Sequence, residues 1–350
     1  MKTLIYFLIG AVISLSALER KAEEGDPEAL YRLATLYESG YDSILPDTAR
    51  SISLLRRAAE LDYAPAQNYL GFLYGRGELM PANKDSARYW IGRAADLGDL
   101  KAANNLGFML LEEYNDSTDS LAATYLSRAA NGGLPVAIST LGSLYAEGRG
   151  VPRDTLKAVE LFEKAIETGF KDAQLRLLNL KGKEWMSLPP ELRYQTALRY
   201  MRLGSPLIAV QLLSGLDDLS YLNPTQKDAT SRTEHLDREQ LARVFALLGQ
   251  AFSHGAGVGY DHAKANKYFA TAALLGNPAA AFVFAETLEI FPDILSTSLF
   301  NDEEQSQLES LGADFSVTAR ELRDFAKEQG ITDARQARDA LIGHPADVSQ

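Results

Sequence analysis

One glycine-rich segment and the two histidines beside it are the first residues that could do chemistry. Residues 255–259 alternate glycine with a small apolar residue, and such a loop can cradle a phosphate when it follows a strand and opens a helix. Here the preceding residues have helical spacing, so a phosphate site is not predicted. His254 and His262 stand eight positions apart, which is too wide for two ligands on adjacent helical turns. We expect these two histidines to be solvated loop residues, and we predict no metal site and no cofactor.

The chain has few other groups that could catalyse a reaction. It contains no cysteine and four histidines among 350 residues, and no serine stands in the Gly-x-Ser-x-Gly pattern of a nucleophile elbow. Carboxylates are numerous, and any two could come within a catalytic distance after folding. Pairs such as Glu23–Glu24 and Glu303–Glu304 are nevertheless typical of solvated faces or helix caps. We therefore predict no catalytic residues and a protein that is not an enzyme.

The charge balance limits the class of partner. The formal net charge is −12 at pH 7, and such a chain is repelled by phosphate backbones, so nucleic acid is not an expected partner. Hydrophobic residues make up 46% of the chain and charged residues 23%. This balance is that of an ordinary folded protein.

The amino terminus has the pattern of an export signal. Lys2 precedes residues 3–18, which carry no charge, and this run is shorter than the roughly 20 residues of a membrane-spanning helix. Small residues before Ala17 predict cleavage after residue 16, with cleavage after Ala17 and an uncleaved short anchor as the alternatives. We expect residues 1–16 to be a signal peptide and the mature chain to be periplasmic or secreted. Contact with a membrane is expected only through this segment, if it is uncleaved.

The strongest pattern in the sequence is a repeat of about 36 residues, which is the period of a stacked repeat protein. Its leading alanines are Ala29, Ala66, Ala102, Ala137 and Ala173. Eight residues before the next copy stand the small pairs Ala58–Ala59, Ala94–Ala95, Ala129–Ala130, Ala165–Ile166 and Ala272–Ala273. Apolar residues at offsets of four predict two helices in each copy.

Polar and glycine positions predict where these helices begin, end and touch. The second helices should be capped by the aligned residues Asp47, Asn83, Thr118, Asp154 and Asp261. Glycine just past their ends favours termination. Gly71, Gly107 and Gly142 should let a neighbouring helix approach closely, because glycine has no Cβ. The aromatic residues assigned to the core are Tyr37, Tyr74, Trp90, Tyr125 and Tyr145.

The fourth copy, residues 137–169, resembles the Sel-1-like repeat family, a relative of the tetratricopeptide repeat. The residues that carry the resemblance are Leu141-Gly142, Leu144-Tyr145, Gly148-Arg149-Gly150-Val151, Asp154, Ala158 and Ala165. The resemblance implies an all-α fold, a right-handed solenoid of stacked helix-turn-helix repeats used for protein–protein contact. Members of this family in bacterial envelopes look like scaffolds or regulators of signalling, polysaccharide export and other secretion systems.

The match to the repeat pattern varies along the chain, and this variation predicts where its segments begin and end. We assign residues 17–214 to Sel-1-like repeats that degenerate after residue 173, 215–235 to an irregular insertion, and 236–292 to a further repeat. Residues 293–350 are assigned to C-terminal capping helices, expected at 303–311, 317–329 and 333–341.

The candidate binding residues occupy non-core positions of the first helices, which in related solenoids line the concave face. Two successive copies present Asn and then Phe at the same positions; an amide can hydrogen-bond a peptide backbone, and Phe can fill an apolar pocket. The alternative is that both rings pack inside the solenoid. The full set is Tyr31, Asn68, Phe72, Arg76, Asn104, Phe108, Glu112, Ser139, Ser143 and Glu147.

The function expected from these features is a non-enzymatic scaffold or regulator of the bacterial cell envelope. It would bind a peptide or protein segment, from another envelope protein, on its concave face. One alternative is an accessory subunit of polysaccharide export or modification that contacts glycan through exposed aromatic residues. An enzyme subunit that uses the 215–235 segment is a further alternative.

Overall fold

The structure is a computed structural model that describes residues 15–40, 45–216, 236–255, 259–297 and 299–342. These residues form helices and no strand, which confirms the all-α repeat fold. The chain divides into two compact units, with the boundary after Ala165. The predicted signal peptide lies outside the described residues up to residue 14, and the predicted insertion lies outside them from residue 217 to 235.

The N-terminal unit is a succession of short helices of similar length. These are α1 (Leu15–Glu23), α2 (Pro27–Ser39), α3 (Thr48–Glu60), α4 (Ala64–Arg76), α5 (Lys84–Asp96), α6 (Leu100–Leu111), α7 (Asp116–Asn131), α8 (Pro135–Glu147) and α9 (Thr155–Glu167), whose last two residues lie past the boundary. From α2 to α8, each helix packs against the next one along the chain. Leu18 and Ala22 of α1 are buried in the same core as the first repeat.

The C-terminal unit begins with degenerate copies and ends with helices that leave the repeat. They are α10 (Asp172–Met186), α11 (Pro190–Arg202), α12 (Pro206–Leu213), α13 (Arg238–His254), α14 (His262–Leu274), α15 (Pro278–Ile290), α16 (Ile294–Thr297), α17 (Asp302–Ser310), α18 (Ala319–Glu328) and α19 (Ala334–Ile342). The pair α13 and α14 forms the clear late repeat. Both α18 and α19 pack against α15, and α19 also contacts α13. Helices α17, α18 and α19 lie within a residue or two of the predicted positions.

Side-chain caps begin the second helices of the repeats. Asp47, Asn83, Asp154 and Asp261 each accept a hydrogen bond from the backbone N–H three residues later, at 2.8–3.0 Å. Thr118 is the exception, and its assignment was wrong. Asn115 caps α7 instead, by accepting from the Thr118 N–H at 3.0 Å, so α7 begins three residues earlier than the alignment indicates.

The close approach predicted at the glycines is confirmed. A Cβ on Gly107 would lie 2.6 Å from Leu126 Cγ, and one on Gly142 would lie 2.9 Å from Phe162 Cε1. No side chain fits there without a shift of the neighbour, because real Cβ contacts are longer. The core register, in contrast, needs a correction. Tyr37 is buried, whereas four other rings assigned to the core are only half-buried: Tyr74, Trp90, Tyr125 and Tyr145.

The large residues that fill the core of the second helices stand three positions before the small pairs. They are Leu55, Ile91, Leu126, Phe162 and Phe269, each at most 5% exposed. The half-buried neighbours Tyr125 and Trp90 instead stack under arginines, with the Arg128 and Arg93 guanidinium carbons 5.3 and 5.7 Å from the ring centres. A long aromatic ring at a helix flank keeps its polar edge in water while its face remains covered.

Candidate binding face on the first helices

A row of aromatic rings joins the first helices α2 and α4. The Tyr31 and Tyr69 rings meet edge to face with centres 6.4 Å apart, and Tyr69 stacks on Phe72 at 6.2 Å. Tyr63, which precedes α4, lies 5.6 Å from Tyr31. Such pairs add roughly 0.5–1.5 kcal/mol each beyond burial, so the rings form a rigid platform that spans two repeats.

The platform carries one strong hydrogen bond between repeats. The Tyr69 hydroxyl donates to Glu38 Oε1 at 2.5 Å, which ties α4 to the end of α2. Burial and this hydrogen bond raise the pKa of Tyr69 above its usual value, and burial with the nearby Glu38 and Asp99 charges raises the pKa of Tyr31. Both phenols therefore stay protonated at neutral pH and remain hydrogen-bond donors.

An amide pair extends the same surface to α6. Asn105 Nδ2 donates to Asn68 Oδ1 at 3.1 Å across the helices α4 and α6. Asn104 has a buried Oδ1 with no hydrogen-bond partner among the described residues. The amide that α6 turns toward Asn68 is thus Asn105, whereas Asn104, which we assigned to the binding face, is half-buried.

The two phenylalanines at equivalent positions are exposed. Phe72 is 42% exposed and Phe108 is 38% exposed, so neither ring belongs to the solenoid core. Arg76 lies over the Phe72 ring, with its guanidinium carbon 5.3 Å from the ring centre, and pairs with Glu78 at 2.5 Å. We name the surface formed by these side chains the α2–α4–α6 face; it consists of Tyr31, Asn68, Tyr69, Phe72, Asn105 and Phe108.

The remaining predicted residues divide between surface and interior. Glu112 and Glu147 are exposed, and Ser143 is half-buried with its hydroxyl 3.4 Å from the Ser139 carbonyl. Ser139 itself is fully buried, and its Oγ has no partner among the described residues. Its assignment to an accessible face was therefore wrong; α8 turns that position toward its neighbours.

Sequence reasoning missed Glu38, Tyr69 and Asn105. A usable signal exists for Tyr69, which stands three residues before Phe72 and thus shares its side of α4. No such signal links Glu38 to Tyr69, because that contact runs between repeats.

The described residues contain neither a metal-binding cluster nor a membrane-spanning helix. No group of three or more His, Asp or Glu side chains there is placed to hold a metal ion. None of the helices in those ranges is both long and apolar enough to span a bilayer.

A family comparison accounts for the repeat pattern. The Sel1 repeat model matches residues 27–63, 64–99, 100–134, 135–170 and 246–277, together just over half of the chain. The chain belongs to the Sel1 repeat family. The matched segments correspond to the helix pairs α2–α3, α4–α5, α6–α7 and α8–α9, and to α13–α14.

Individual relatives cover only part of this Sel1 repeat chain. An uncharacterized protein of Neisseria meningitidis is 30% identical over 46% of the chain and 33% of its own length. The chitin synthase regulator SKT5 of Saccharomyces cerevisiae is 31% identical over 48% of the chain and 25% of its own length. The chain thus spans a third or less of the length of these relatives. A solved Sel1 repeat protein from Oxalobacter formigenes aligns over 86% of this chain and 88% of its own, with 19% identity and a TM-score of 0.42.

Proposed function

We propose that this protein is a non-enzymatic scaffold or regulator of the bacterial cell envelope that binds a peptide or protein segment on its α2–α4–α6 face. Sel1 repeats generally mediate protein–protein contact, which supports a protein partner. The exposure of Phe72 and Phe108 supports the location of the site. The uncharged run at residues 3–18 supports the envelope location.

The observation that carries the site is the exposure of Phe72 and Phe108. Each ring occupies the same position of successive first helices, and each leaves more than a third of its surface in water. Binding-energy hot spots are aromatic residues that a partner can bury, surrounded by contacts that exclude water. The neighbouring amides Asn68 and Asn105 supply both donors and acceptors for the backbone of an extended segment.

The envelope location rests on the uncharged run at residues 3–18 and on the start of the fold. Helix α1 begins at Leu15, but its buried contacts come from Leu18 and Ala22. Cleavage after residue 16 would therefore remove no buried residue of α1, and the mature chain would keep its first core contacts.

A second candidate function is regulation of a polysaccharide-forming system. It is favoured by the relative that is named as a regulator of chitin synthase. On this proposal the ring platform around Phe72 would stack on the sugars of the polysaccharide. The two candidates differ in what contacts the rings, so one experiment addresses both.

Site-specific photocrosslinking tests the binding face. A photoreactive phenylalanine analogue placed at position 72 or 108 should crosslink to the same envelope protein, because both positions would lie under one bound segment. The matched control is position 89, where Tyr89 is 55% exposed on the second helix α5. Crosslinks from positions 72 and 108 but not from 89 are the expected result.

Two outcomes would contradict the proposal. Equal crosslinking from all three positions would mean that contact is nonspecific, and a product that carries glycan without protein would favour the second candidate. Export is tested separately by fusing residues 1–30 to a reporter that is active only outside the cytoplasm. A cytoplasmic product that retains Met1 would contradict the envelope location without affecting the binding face.

A further inference from the structure

Three tyrosines of the ring platform differ from the other aromatic residues of the N-terminal unit. Over the described residues of that unit, seven rings lie under an arginine or lysine of the chain itself, 4.4–5.8 Å from the ring centre. They are Tyr37, Phe72, Tyr89, Trp90, Tyr114, Tyr125 and Tyr145. No arginine or lysine of the described ranges lies over Tyr31, Tyr63 or Tyr69, which are half-buried and which we name the tyrosine cluster. A cation over an aromatic face is favourable, so this cluster lacks a contact that its neighbours have.

Carboxylates lie around the hydroxyl groups of the tyrosine cluster. Burial is the main cause that raises the pKa of Tyr31 and of Tyr63, and nearby negative charges raise both further. These charges belong to Glu38 and Asp99 near Tyr31, and to Glu28 and Asp26 near Tyr63. A negative charge raises the pKa of a phenol because it disfavours the phenolate. The surroundings of the cluster are therefore negative.

Three of these four acids already have partners within the fold. Glu28 pairs with Arg32 at 2.7 Å, and Arg32 is the one cation whose charge opposes the rise in the Tyr63 pKa. Asp26 and Asp99 each accept a hydrogen bond from a backbone N–H at 2.8 Å, at the start of α2 and of α6. A helix start is positive, so it partly compensates each of these two charges.

Glu38 is the carboxylate that lacks a cation. It is half-buried in the last turn of α2, where it accepts the Tyr69 hydroxyl at 2.5 Å and forms no ion pair with another described residue. A carboxylate there opposes the helix dipole, because the end of a helix favours positive charge. The last turn of α2 contains no basic residue, and residues 41–46 contain none either. A cation supplied by a partner would be stabilised both by Glu38 and by the end of α2.

We propose that the segment bound on the α2–α4–α6 face places an arginine side chain on the tyrosine cluster. This inference rests on the proposed binding face and narrows its partner to a segment that carries such a cation. The guanidinium would lie against the Tyr31 and Tyr63 rings, whose centres are 5.6 Å apart, and would donate to Glu38. Arginine fits better than lysine, because its planar group stacks on rings and offers several donors to one carboxylate. The net charge of −12 also favours a basic partner.

Selection from a library of random short peptides tests this proposal on the full chain. The same library is selected in parallel on Glu38→Gln, because glutamine keeps an acceptor for the Tyr69 hydroxyl and removes the charge. We expect arginine to recur at one position of the peptides selected on the unchanged chain and to lose this recurrence on Glu38→Gln. The matched control is Glu60→Gln, which removes the same charge from the last turn of the second helix α3 and should leave the recurrence intact.

A double-mutant cycle with one selected peptide measures the contact by fluorescence anisotropy. Replacing the peptide's arginine with glutamine should weaken binding about tenfold. Glu38→Gln should weaken the arginine peptide to a similar extent and leave the affinity of the glutamine peptide unchanged. Tyr63→Leu should also weaken the arginine peptide, whereas Tyr63→Phe keeps the ring and should not; Tyr63 makes no side-chain cap bond that either change would remove. Unchanged melting temperatures would show that each variant folds.

The possible failures separate this inference from the binding face on which it rests. Selected peptides that lose binding on Phe72→Ala but carry no recurring arginine would overturn the inference and leave the face standing. Equal weakening of the arginine and glutamine peptides by Glu38→Gln would also overturn it. Peptides whose binding depends on neither Phe72 nor Glu38 would contradict the face itself. Displacement of the arginine peptide by an equal concentration of tetramethylammonium would overturn the peptide assignment in favour of a small quaternary ammonium ligand.

Discussion

Replacing Gly71 with alanine tests the close approach between α4 and α5, and Gly75 in the same helix supplies a matched control. A Cβ on Gly71 would lie 2.5 Å from Ile91 Cγ1, 2.9 Å from the Ala87 carbonyl oxygen and 3.0 Å from the Ile91 nitrogen. On Gly75 it would lie 3.9 Å from Ala87 Cβ, an ordinary contact. The two sites therefore differ in packing and share their helix.

The expected change in the free energy of unfolding is the balance of two opposing effects. Each substitution gains up to about 1 kcal/mol of helix propensity, so the difference between the variants isolates the packing contribution. Overpacking costs about 1–3 kcal/mol. Because two of the three atoms near Gly71 belong to the backbone of α5, a side-chain rotation cannot relieve the contact, and the cost should lie in the upper half of that range. We expect Gly71→Ala to lower the free energy of unfolding by about 1–2 kcal/mol, and Gly75→Ala to raise it slightly.

Urea unfolding followed by tryptophan fluorescence provides the assay. The chain has two tryptophans: Trp90 lies on α5 and Trp185 lies in the C-terminal unit. A Trp185→Phe background therefore makes the signal specific to the N-terminal unit. The slope with urea should stay constant while the midpoint shifts. If Gly71→Ala is as stable as Gly75→Ala, then α4 and α5 do not pack as closely as the structure places them.

Three further predictions concern the N-terminal unit. Arg149 holds the nearly buried Asp119 carboxylate through two hydrogen bonds at 2.7 and 2.8 Å. Arg149→Met should cost about 3 kcal/mol in urea unfolding, because it leaves a buried charge unpaired, and adding Asp119→Asn should reduce that loss. The pKa of Tyr69 is raised by burial and by its carboxylate acceptor, so the folded phenol keeps its proton above pH ~10, where an unfolded tyrosine ionises. Stability should therefore fall as the pH rises past that value, and thermal melts from pH 8 to 11 should show a smaller fall for Tyr69→Phe. Changing the exposed Phe72 and Phe108 both to alanine should lower the melting temperature measured by calorimetry by only a few degrees. Loss of the folded state would show instead that both rings are core residues.

The repeated parts of the fold were predictable from the sequence, because equivalent residues make equivalent helix contacts in each copy. Gly107 and Gly142 could be assigned to close helix contacts from their position after leucine, since each copy presents the same pair of helices. The cap of α7 was not predictable by alignment alone. Asn115 and Thr118 are both capping residue types, and the alignment favoured the second although the chain uses the first.

The candidate site was predictable only in part, because side chains meet there between copies. The exposed positions of Phe72 and Phe108 follow from their offset against the core register. The Tyr69–Glu38 bond depends on how far α2 stands from α4, and no spacing within one copy encodes that distance. The packing of α19 against α13 and α15 was harder still to predict, since α19 begins 80 residues after the end of α13 and has no counterpart in the repeat.

Contacts between successive second helices explain why one basic position recurs while exposed positions of the first helices vary. Arg93 of α5 pairs with Asp62, which follows α3, and Arg128 of α7 donates to the Ala95 carbonyl at 2.6 Å and lies 3.7 Å from Asp96 at the end of α5. In an array of this kind, stability is approximately a sum of intrinsic repeat terms and nearest-neighbour terms. The position before the small pair is accordingly basic in four copies, as Arg57, Arg93, Arg128 and Lys164. The exposed positions held by Phe72 and Phe108 have no such constraint, since each ring leaves more than a third of its surface in water. Residue type can therefore vary there from copy to copy while the framework stays constant, and such variation lets one array recognise one particular partner.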